Sequence, residues 1–562
     1  MRTSLKLALL TVAAALLPGA GAAPPVLKIL VTPGPMDQQA GKGEVAVAMT
    51  IPAIGDPGDG PLLSIDLMVP GMARPLAVRG LTARDAGGTL SLTAIPGPPG
   101  RWRADRAVRG PLALDYILEI ENVPMLQGGP PTAARIDGNA FSAIGSGLFM
   151  KVPPAGPTAI RLDWDFARMA SGSEAVTSWG NGAIALGSST PDRLMRGVFM
   201  VGRLMHEPRQ EVKQGFSAVW AGDPGFDPRP PMQWTAKLHG WMSGFFGDTE
   251  VPPYRVFMRY NPMNAGGGAA LHRSFLITYG TGVTGQGLAG ILGHEMTHTW
   301  TANDLGKWYS EGNAVYYQVL LPWRAGLVTT DEYLADINET ASRYYSNLLR
   351  NTPEEEAVRR FWEDTRVRVL PYDRGALYFA ALDGKIRRAS GGKRSIDDLV
   401  LAMVDRAKKG EPITEAIWFD MLRAEIGEAG PTLHRAMLAG DLILPESGDY
   451  GPCFRRTTRP VRRFDVGFDF ASLIGAKKVV KGLKPDSEAA RAGLRDGDVI
   501  TYGVALDSLQ GAPDRHFNVQ VTRDGRTWPV SYLPRGEAVD VYQWEREPGV
   551  PDDQCKLRWG KS

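Results

Sequence analysis

The chain has 562 residues, which is too long for one ordinary core and predicts about three or four domains. Its 43% hydrophobic and 22% charged residues are typical of a globular protein and exclude a disordered or fibrous chain. The formal net charge of +2 gives no electrostatic case for nucleic acid or an anionic membrane as a partner.

The N-terminus has the pattern of a secretory signal peptide. Arg2 and Lys6 form a basic start, and residues 7–17 are an apolar run too short to span a bilayer comfortably. Ala20-Gly21-Ala22 supplies small residues before a cleavage site, so residues 1–22 are predicted to be removed on export. The alternative is a membrane anchor. We expect an exported protein, periplasmic or secreted.

Residues 23–168 are predicted to form a β-sandwich-like N-terminal domain. Residues 44–51 and 112–120 alternate apolar and polar side chains with the period of two that is typical of strands. Residues 62–69 form another strand-like run, and Pro/Gly clusters separate these segments.

Residues 169–325 are predicted to be a mixed α/β catalytic domain. Residues 256–260 resemble a strand, and Gly266-Gly267-Gly268 follows them. Glycines at a strand edge let another backbone approach closely, so these three residues are candidates for binding a peptide substrate as an added strand. An ordinary flexible turn is the alternative.

The segment His294-Glu295-Met296-Thr297-His298 is the strongest chemical signal in the chain. In a helix, the two histidines lie one turn apart on the same face, where their imidazoles can bind one zinc ion. Glu311, at the start of a later apolar helical run, is the candidate third ligand, and Glu295 is the candidate general base. Two exposed histidines on a helix without a metal are the alternative interpretation.

Residues 326–450 are predicted to form a helical domain packed on the catalytic domain. Thr329-Thr330-Asp331-Glu332 is a capping box that opens a helix ending near Leu349. Ser395 and Thr414 are predicted to begin two further helices. Short loops between the helices favour a bundle.

The C-terminal segment, residues 463–545, resembles a PDZ domain through the run from Ser487 to Ile500. The resemblance implies that Val466, Gly467 and Phe468 form a loop whose amides hold the terminal carboxylate of a peptide ligand. A domain retained only for packing is the alternative. Cys453 and Cys555 flank this segment, and they are predicted either to form a disulfide or to remain as buried thiols.

The zinc motif also carries a family resemblance. The residues from His294 to Asn303 resemble the signature of gluzincin aminopeptidases, and Trp308 to Tyr317 resembles their Trp-x-x-Glu-Gly helix. With the PDZ-like segment, the chain is most similar to the M61 glycyl aminopeptidase family. That resemblance implies a multidomain α+β fold with a β-rich N-terminal domain, a thermolysin-like α/β catalytic domain, a helical domain and a C-terminal PDZ domain. It also implies one zinc ion per chain.

The same resemblance covers Tyr372-Asp373-Arg374-Gly375 and implies that Tyr372 donates a hydrogen bond to the oxyanion. Two departures from the family stand out. The connection from His298 to Glu311 is short, and Leu271 occupies the position where, with His272 as the reference, aminopeptidases carry a glutamate for the substrate's amino group.

The expected activity is hydrolysis of peptide bonds by a zinc-activated water, with Glu295 as general base. An aminopeptidase is the first hypothesis, and an endopeptidase or oligopeptidase on the same site is favoured by Leu271. A non-catalytic PDZ peptide-binding protein is the alternative from another class. Peptides or proteins are the expected substrates, and a C-terminal peptide is the expected ligand of the PDZ-like segment.

Overall fold

The computed structural model describes residues 24–126, 130–189, 192–262, 265–280, 283–301, 304–475, 477–504 and 506–557. It shows a multidomain α+β fold with a β-rich N-terminal region and a helical region. The predicted signal peptide, residues 1–22, lies outside the described residues. Within the described ranges, every helix is too short or too polar to cross a lipid bilayer.

The β-rich region runs from Val26 to Gly202. Its elements are β1 (Val26–Asp37), β2 (Lys42–Ile51), β3 (Leu63–Ser64), β4 (Ala77–Asp85), β5 (Gly88–Leu90), β6 (Leu92–Ala94), β7 (Arg101–Ala104), β8 (Leu112–Glu121), β9 (Arg135–Asp137), β10 (Ala140–Ile144), β11 (Thr158–Trp164), β12 (Glu174–Thr177), β13 (Gly180–Asn181), β14 (Ile184–Ser189), α1 (Asp192–Met195) and β15 (Val198–Gly202). They form sheets with the orders β14-β11-β1-β2-β8-β4-β5, β13-β12-β15-β10-β9 and β3-β7-β6.

The alternating pattern explains how these sheets pack. In β2 and β8 every second side chain is buried in a shared core while the residues between them face outward. The strand predicted over residues 62–69 is wrong beyond Leu63–Ser64, the only part of it that pairs with β7. The β-rich region also extends past the predicted boundary at residue 168, because β12, β14 and β15 complete its sheets.

A separate five-stranded sheet forms the base of the central region. Its elements are β16 (Met205–Glu207), β17 (Phe216–Trp220), α2 (Arg229–Phe245), β18 (Tyr254–Tyr260), β19 (Gly268–Leu271), β20 (Ser274–Tyr279) and α3 (Ala289–Thr297). The strand order is β16-β17-β18-β20-β19, with β17, β18 and β20 parallel and the two edge strands antiparallel. The central strands are buried on both faces, because helices cover one face and the β-rich region covers the other.

Helices dominate the next part of the chain. They are α4 (Lys307–Arg324), α5 (Thr330–Tyr345), α6 (Glu354–Arg359), α7 (Thr365–Arg368), α8 (Leu370–Ser390), α9 (Ile396–Lys408), α10 (Glu415–Ile426) and α11 (Ala429–Ala439). The capping box predicted at Thr329 is confirmed, and helices begin after Ser395 and Thr414 as predicted. Helix α5 ends at Tyr345, four residues before the predicted end near Leu349.

The last part of the chain has a small core of its own. Its elements are β21 (Phe454–Phe464), β22 (Lys478–Val479), α12 (Glu488–Arg491), β23 (Val499–Tyr502), α13 (Leu506–Gly511), β24 (Phe517–Arg523), β25 (Arg526–Tyr532), β26 (Arg535–Arg546) and α14 (Asp552–Cys555). Strands β22-β23-β24-β25 form one sheet, and β21 pairs with β26. Cys453 and Cys555 form a disulfide across a sequence separation of 102, which joins the two ends of this unit.

Candidate metal centre and catalytic cleft

Two helices bring the candidate metal ligands together. His294 lies in α3, His298 is the residue at which α3 ends, and Glu311 lies in α4. The two histidine Nε2 atoms are 3.3 Å apart. The Glu311 Oε2 atom is 3.4 Å from Nε2 of His294 and 3.3 Å from Nε2 of His298.

These spacings fit a tetrahedral zinc ion. Zinc binds histidine nitrogen and carboxylate oxygen at about 2.0–2.2 Å, which places the ligand atoms of a tetrahedron about 3.3–3.5 Å from each other. A nitrogen–oxygen hydrogen bond is typically shorter, at about 2.9 Å. Three donor atoms at nearly equal separations above 3.2 Å therefore match the edge of a tetrahedron better than an ion-pair network.

Close contacts at three glycines set the position of these helices. A Cβ atom on Gly293 would lie 2.4 Å from the carbonyl oxygen of Gln318, so α3 lies directly against α4. A Cβ atom on Gly312 would lie 2.6 Å from Cα of Gly375, so α4 lies directly against α8. Each glycine is one to three residues from His294, Glu311 or Tyr372, and the helix crossings therefore determine where these side chains meet.

Gly312→Ala is expected to disturb the site and the fold together. Carbon atoms pack at about 3.5–4.0 Å, so the new methyl group must move α4 and α8 apart by about 1 Å. We expect kcat/KM to fall about 30- to 100-fold and the free energy of unfolding to fall by about 1–3 kcal/mol. Peptidase assays and denaturant titrations measure the two effects.

Gly240→Ala is the matched control, because a Cβ atom at Gly240 in α2 meets nothing within 4 Å. It should keep full activity and gain up to about 1 kcal/mol from higher helix propensity. Equal behaviour of the Gly240→Ala and Gly312→Ala variants would contradict the role given to the crossing.

The environment of Glu295 is suited to a general base. Burial raises the pKa of Glu295 above its usual range, against the opposing effects of His294 and His298. The backbone N–H of Ala270 donates a hydrogen bond to its carboxylate. A carboxylate with a raised pKa is a better proton acceptor at neutral pH than an ordinary glutamate.

Glu311 and His298 each shift the pKa of the other. Burial raises the pKa of Glu311, but the hydrogen bonds from His294 and His298 outweigh it and hold that pKa well below its usual range. Burial lowers the pKa of His298, and the Glu311 carboxylate outweighs it and raises that pKa. Glu311 is therefore anionic at every pH at which the protein is expected to work, as a candidate metal ligand must be.

Tyr372, at the start of α8, borders the same site. Its ring stacks on that of His294, with centroids 5.8 Å apart and planes 14° apart. Burial, together with Glu311 and Glu295, raises the pKa of Tyr372 well above its usual range. The hydroxyl therefore keeps its proton and can donate a hydrogen bond within the cleft.

The edge strand β19 forms the opposite wall. A Cβ atom on Gly268 would lie 2.9 Å from Oε1 of Glu295, so the strand backbone passes directly against the base. The predicted segment Gly266-Gly267-Gly268 divides here, because the strand begins at Gly268 and the first two glycines form the preceding turn. One edge of β19 pairs with β20, and its other edge has no partner strand among the described residues.

Leu271 and His272 lie on the far side of this strand. Leu271 packs with the residues that face the β-rich region. His272 stacks on Trp179 and lies within hydrogen-bonding distance of Arg193; burial first, and Arg193 second, lower the pKa of His272 to about 4. Ala270, which pairs with the inward-facing Phe275, is on the cleft side, and residues 268–271 contain no carboxylate.

Two residues near the site were missed by sequence reasoning. Lys307 lies one helical turn before Glu311, and Phe361 packs beside Tyr372. Lys307 could have been found, because a residue four positions before Glu311 on a helix lies on the same face. No sequence pattern near Phe361 indicates that it lies at the site.

The predicted peptide-binding loop of the C-terminal unit lies in its small core. Val466 and Phe468 are buried, and Gly467 has a φ of +84°. The Gly467 N–H donates to Oδ1 of Asp465 at 2.8 Å, so its own chain satisfies this amide. The following residues, Phe470–Leu473, form a 3₁₀-helix.

Comparison with known proteins finds a family model that matches one segment of the chain and solved structures with a similar fold. A family model described as M61 glycyl aminopeptidase matches residues 302–368, which include Glu311. The crystal structure of an aminopeptidase N family protein from Idiomarina loihiensis matches with a TM-score of 0.66 and 16% identity, over 94% of this chain and 99% of that chain. At this identity the likeness is one of fold.

Two further solved structures are more distant. An M1 zinc metallopeptidase from Deinococcus radiodurans has a TM-score of 0.46 and 16% identity, over 75% of this chain and 95% of that chain. Native yeast LTA4 hydrolase has a TM-score of 0.48 and 13% identity, over 75% of this chain and 69% of that chain. A search of curated proteins finds no match.

Proposed function

We propose that this chain belongs to the M61 glycyl aminopeptidase family, whose model matches residues 302–368, and that it is an exported zinc peptidase that binds one zinc ion and hydrolyses peptide bonds. The observation that carries the proposal is the set of three ligand atoms 3.3–3.4 Å apart beside Glu295 and Tyr372. Export rests on the signal-like pattern of residues 1–22, and the protein is expected to be periplasmic or secreted.

His294, His298 and Glu311 would hold the metal. When bound there, zinc supplies Lewis acidity and lowers the pKa of a water molecule to about 7. Glu295 accepts the proton of the attacking water and passes it to the nitrogen of the leaving amine. The N–H of Ala270 fixes the Glu295 carboxylate in position for both transfers.

Tyr372 and β19 act on the substrate itself. The Tyr372 hydroxyl donates a hydrogen bond to the substrate's carbonyl oxygen as negative charge develops there. The free edge of β19 pairs with the substrate backbone as an added strand, which brings the scissile bond past Glu295. Gly268 permits this approach, because a side chain there would collide with Glu295.

An aminopeptidase is the first assignment because of the family. An endopeptidase or oligopeptidase is favoured by one specific observation, since β19 has no carboxylate to bind a substrate's amino group. A non-catalytic peptide-binding protein would need neither the three matched ligands nor a buried base beside them.

The C-terminal unit is proposed to be a PDZ domain for a peptide ligand, with Val466, Gly467 and Phe468 as its loop. A terminal carboxylate would take the place of Asp465 at the Gly467 amide. A role in packing is the alternative, and it is supported by the bonds of the Asn338 side chain to both backbone groups of Trp544 in β26.

The test is mass spectrometry of a mixed peptide library after incubation with the mature, zinc-loaded protein, with the Glu295→Gln variant as control. Stepwise loss of N-terminal residues would establish an aminopeptidase. Internal cuts would establish an endopeptidase. Products identical to those of the control would reject hydrolysis and favour a binding protein.

A further inference from the structure

A lysine without a charged partner lies in the catalytic cleft. Lys307 is the first residue of α4 and lies one turn before Glu311, so both side chains are on the same face of the helix. In the part of the chain that the structure describes, its ammonium makes neither a hydrogen bond nor an ion pair. Its ammonium contacts the ring of Phe361, whose centroid is 4.4 Å from Nζ.

The contact with Phe361 places the ammonium at the wall of the site. The Phe361 ring stacks on Tyr372 at 6.4 Å, and the Tyr372 ring stacks on His294 at 5.8 Å. A continuous row of rings therefore leads from the metal ligand to the lysine. Burial and the Glu311 carboxylate are the main influences on the pKa of His298, and the Lys307 charge also acts on it, so the ammonium is within electrostatic reach of the ligands.

The carboxylates around Lys307 are already used. Glu354 pairs with Arg374 at 2.9 Å and accepts the backbone N–H of Trp308, and the Lys307 charge acts on it through space without forming an ion pair. Glu311 is assigned to the metal, and Glu295 is the base. A divalent metal would offset the charges of Glu311 and Glu295, which leaves the ammonium of Lys307 as an excess positive charge in the cleft.

The opposite wall of the cleft, strand β19, has no charged side chain. Gly268, Ala269, Ala270 and Leu271 make up β19, and none of them is charged. A substrate bound between the walls meets a cation on one side and an uncharged backbone edge on the other. The cation on one wall therefore attracts an anionic group of the substrate.

We infer that Lys307 binds a carboxylate of the substrate, so that the enzyme selects peptides with a negative charge close to the scissile bond. The carboxylate is either the C-terminus or an acidic side chain. The inference rests on the proposed peptidase activity. A hydrogen bond between charged groups in a half-buried cleft is expected to change kcat/KM about 10- to 100-fold.

Paired peptides test the inference on the mature, zinc-loaded protein. One series replaces glutamate by glutamine at successive positions on both sides of the cleaved bond, and another replaces the C-terminal acid by the amide. We expect the charged member of at least one series to be cleaved about 10- to 100-fold faster. A response in the first series identifies a side-chain carboxylate, and one in the second series identifies the C-terminus.

Variants distinguish a specific role of Lys307 in substrate preference from a general loss of activity or folding. Lys307→Met keeps a long side chain against Phe361 and should remove the preference, so that the charged and neutral members of each pair are cleaved at equal rates. Lys307→Arg should retain the preference, and Lys307→Glu should reverse it. Lys393→Met, at an exposed position, is the matched control and should behave like the wild type. Zinc content and thermal unfolding establish that each variant is folded.

The outcomes distinguish this inference from the proposed function. Glu295-dependent cleavage with equal rates on charged and neutral peptides would overturn the role of Lys307 alone. An unchanged preference in folded Lys307→Met would also overturn it. No cleavage above the Glu295→Gln control would overturn the peptidase assignment and the inference with it. If Lys307→Met does not fold, the wild-type preference and the Lys307→Arg and Lys307→Glu variants decide the question.

Discussion

Glu295→Gln should retain zinc and a native fold but lose kcat by about 1,000- to 10,000-fold. Glutamine has nearly the same shape as glutamate, so the contact with the Ala270 N–H and the packing against Gly268 are expected to persist. The amide cannot accept the proton of the attacking water, and proton transfer to the leaving amine is lost as well. The measurement is kcat on a cleaved peptide, together with metal content by atomic absorption.

Glu250→Gln is the matched control, because Glu250 is exposed and far from the ligands in sequence. It should have wild-type kcat and metal content. Turnover of Glu295→Gln within about tenfold of the wild type, with metal retained, would exclude Glu295 as the base. Loss of metal in this variant would show instead that Glu295 contributes to the ligand set.

The histidine pair of the candidate ligand set was predictable from the sequence because its spacing is local. His294 and His298 are four residues apart, and every α-helix places residues with this spacing on one face. The capping box at Thr329 and the helix start at Ser395 are local in the same way, and both predictions are confirmed. The alternation of apolar and polar residues predicted β2 and β8 equally well, because one face of each strand is buried.

The sequence alone could not decide features that depend on distant contacts. The crossing of Gly312 with Gly375 joins residues 63 positions apart, and the disulfide joins residues 102 positions apart. The run at residues 62–69 has strand-like residues, yet only Leu63–Ser64 finds a partner strand. Sequence pattern shows which residues can pair, whereas the partner decides whether they do.

The interpretation of Leu271 also changed once its partner was known. The sequence suggested that a leucine replaces an amino-binding glutamate in the cleft. Pairing of β19 with β20 turns Leu271 toward the β-rich region and Ala270 toward the helices. A shift of one residue in a strand changes the face of every side chain, so a short motif cannot assign the cleft-facing position without the register.

Tyr372→Phe should lower kcat about 100- to 1,000-fold and leave KM, zinc content and thermal stability nearly unchanged. The phenyl ring retains the stacking on His294 and Phe361, so only the hydroxyl is lost. Its hydrogen bond strengthens as charge develops on the substrate oxygen, and removing it therefore affects the transition state more than the bound substrate. Steady-state kinetics on one peptide provide the measurement.

A peptide phosphonate gives an independent readout of the same contact. Its anionic tetrahedral group resembles the oxyanion, so its affinity should fall by about the same factor as kcat in Tyr372→Phe. Tyr260→Phe, on the exposed end of β18, is the control and should change neither quantity. A lower kcat with unchanged phosphonate affinity would mean that Tyr372 supports the fold of the site rather than the oxyanion. Because burial, Glu311 and Glu295 keep the pKa of Tyr372 well above its usual range, the wild-type enzyme should show no loss of activity from Tyr372 ionisation between pH 6 and about 9.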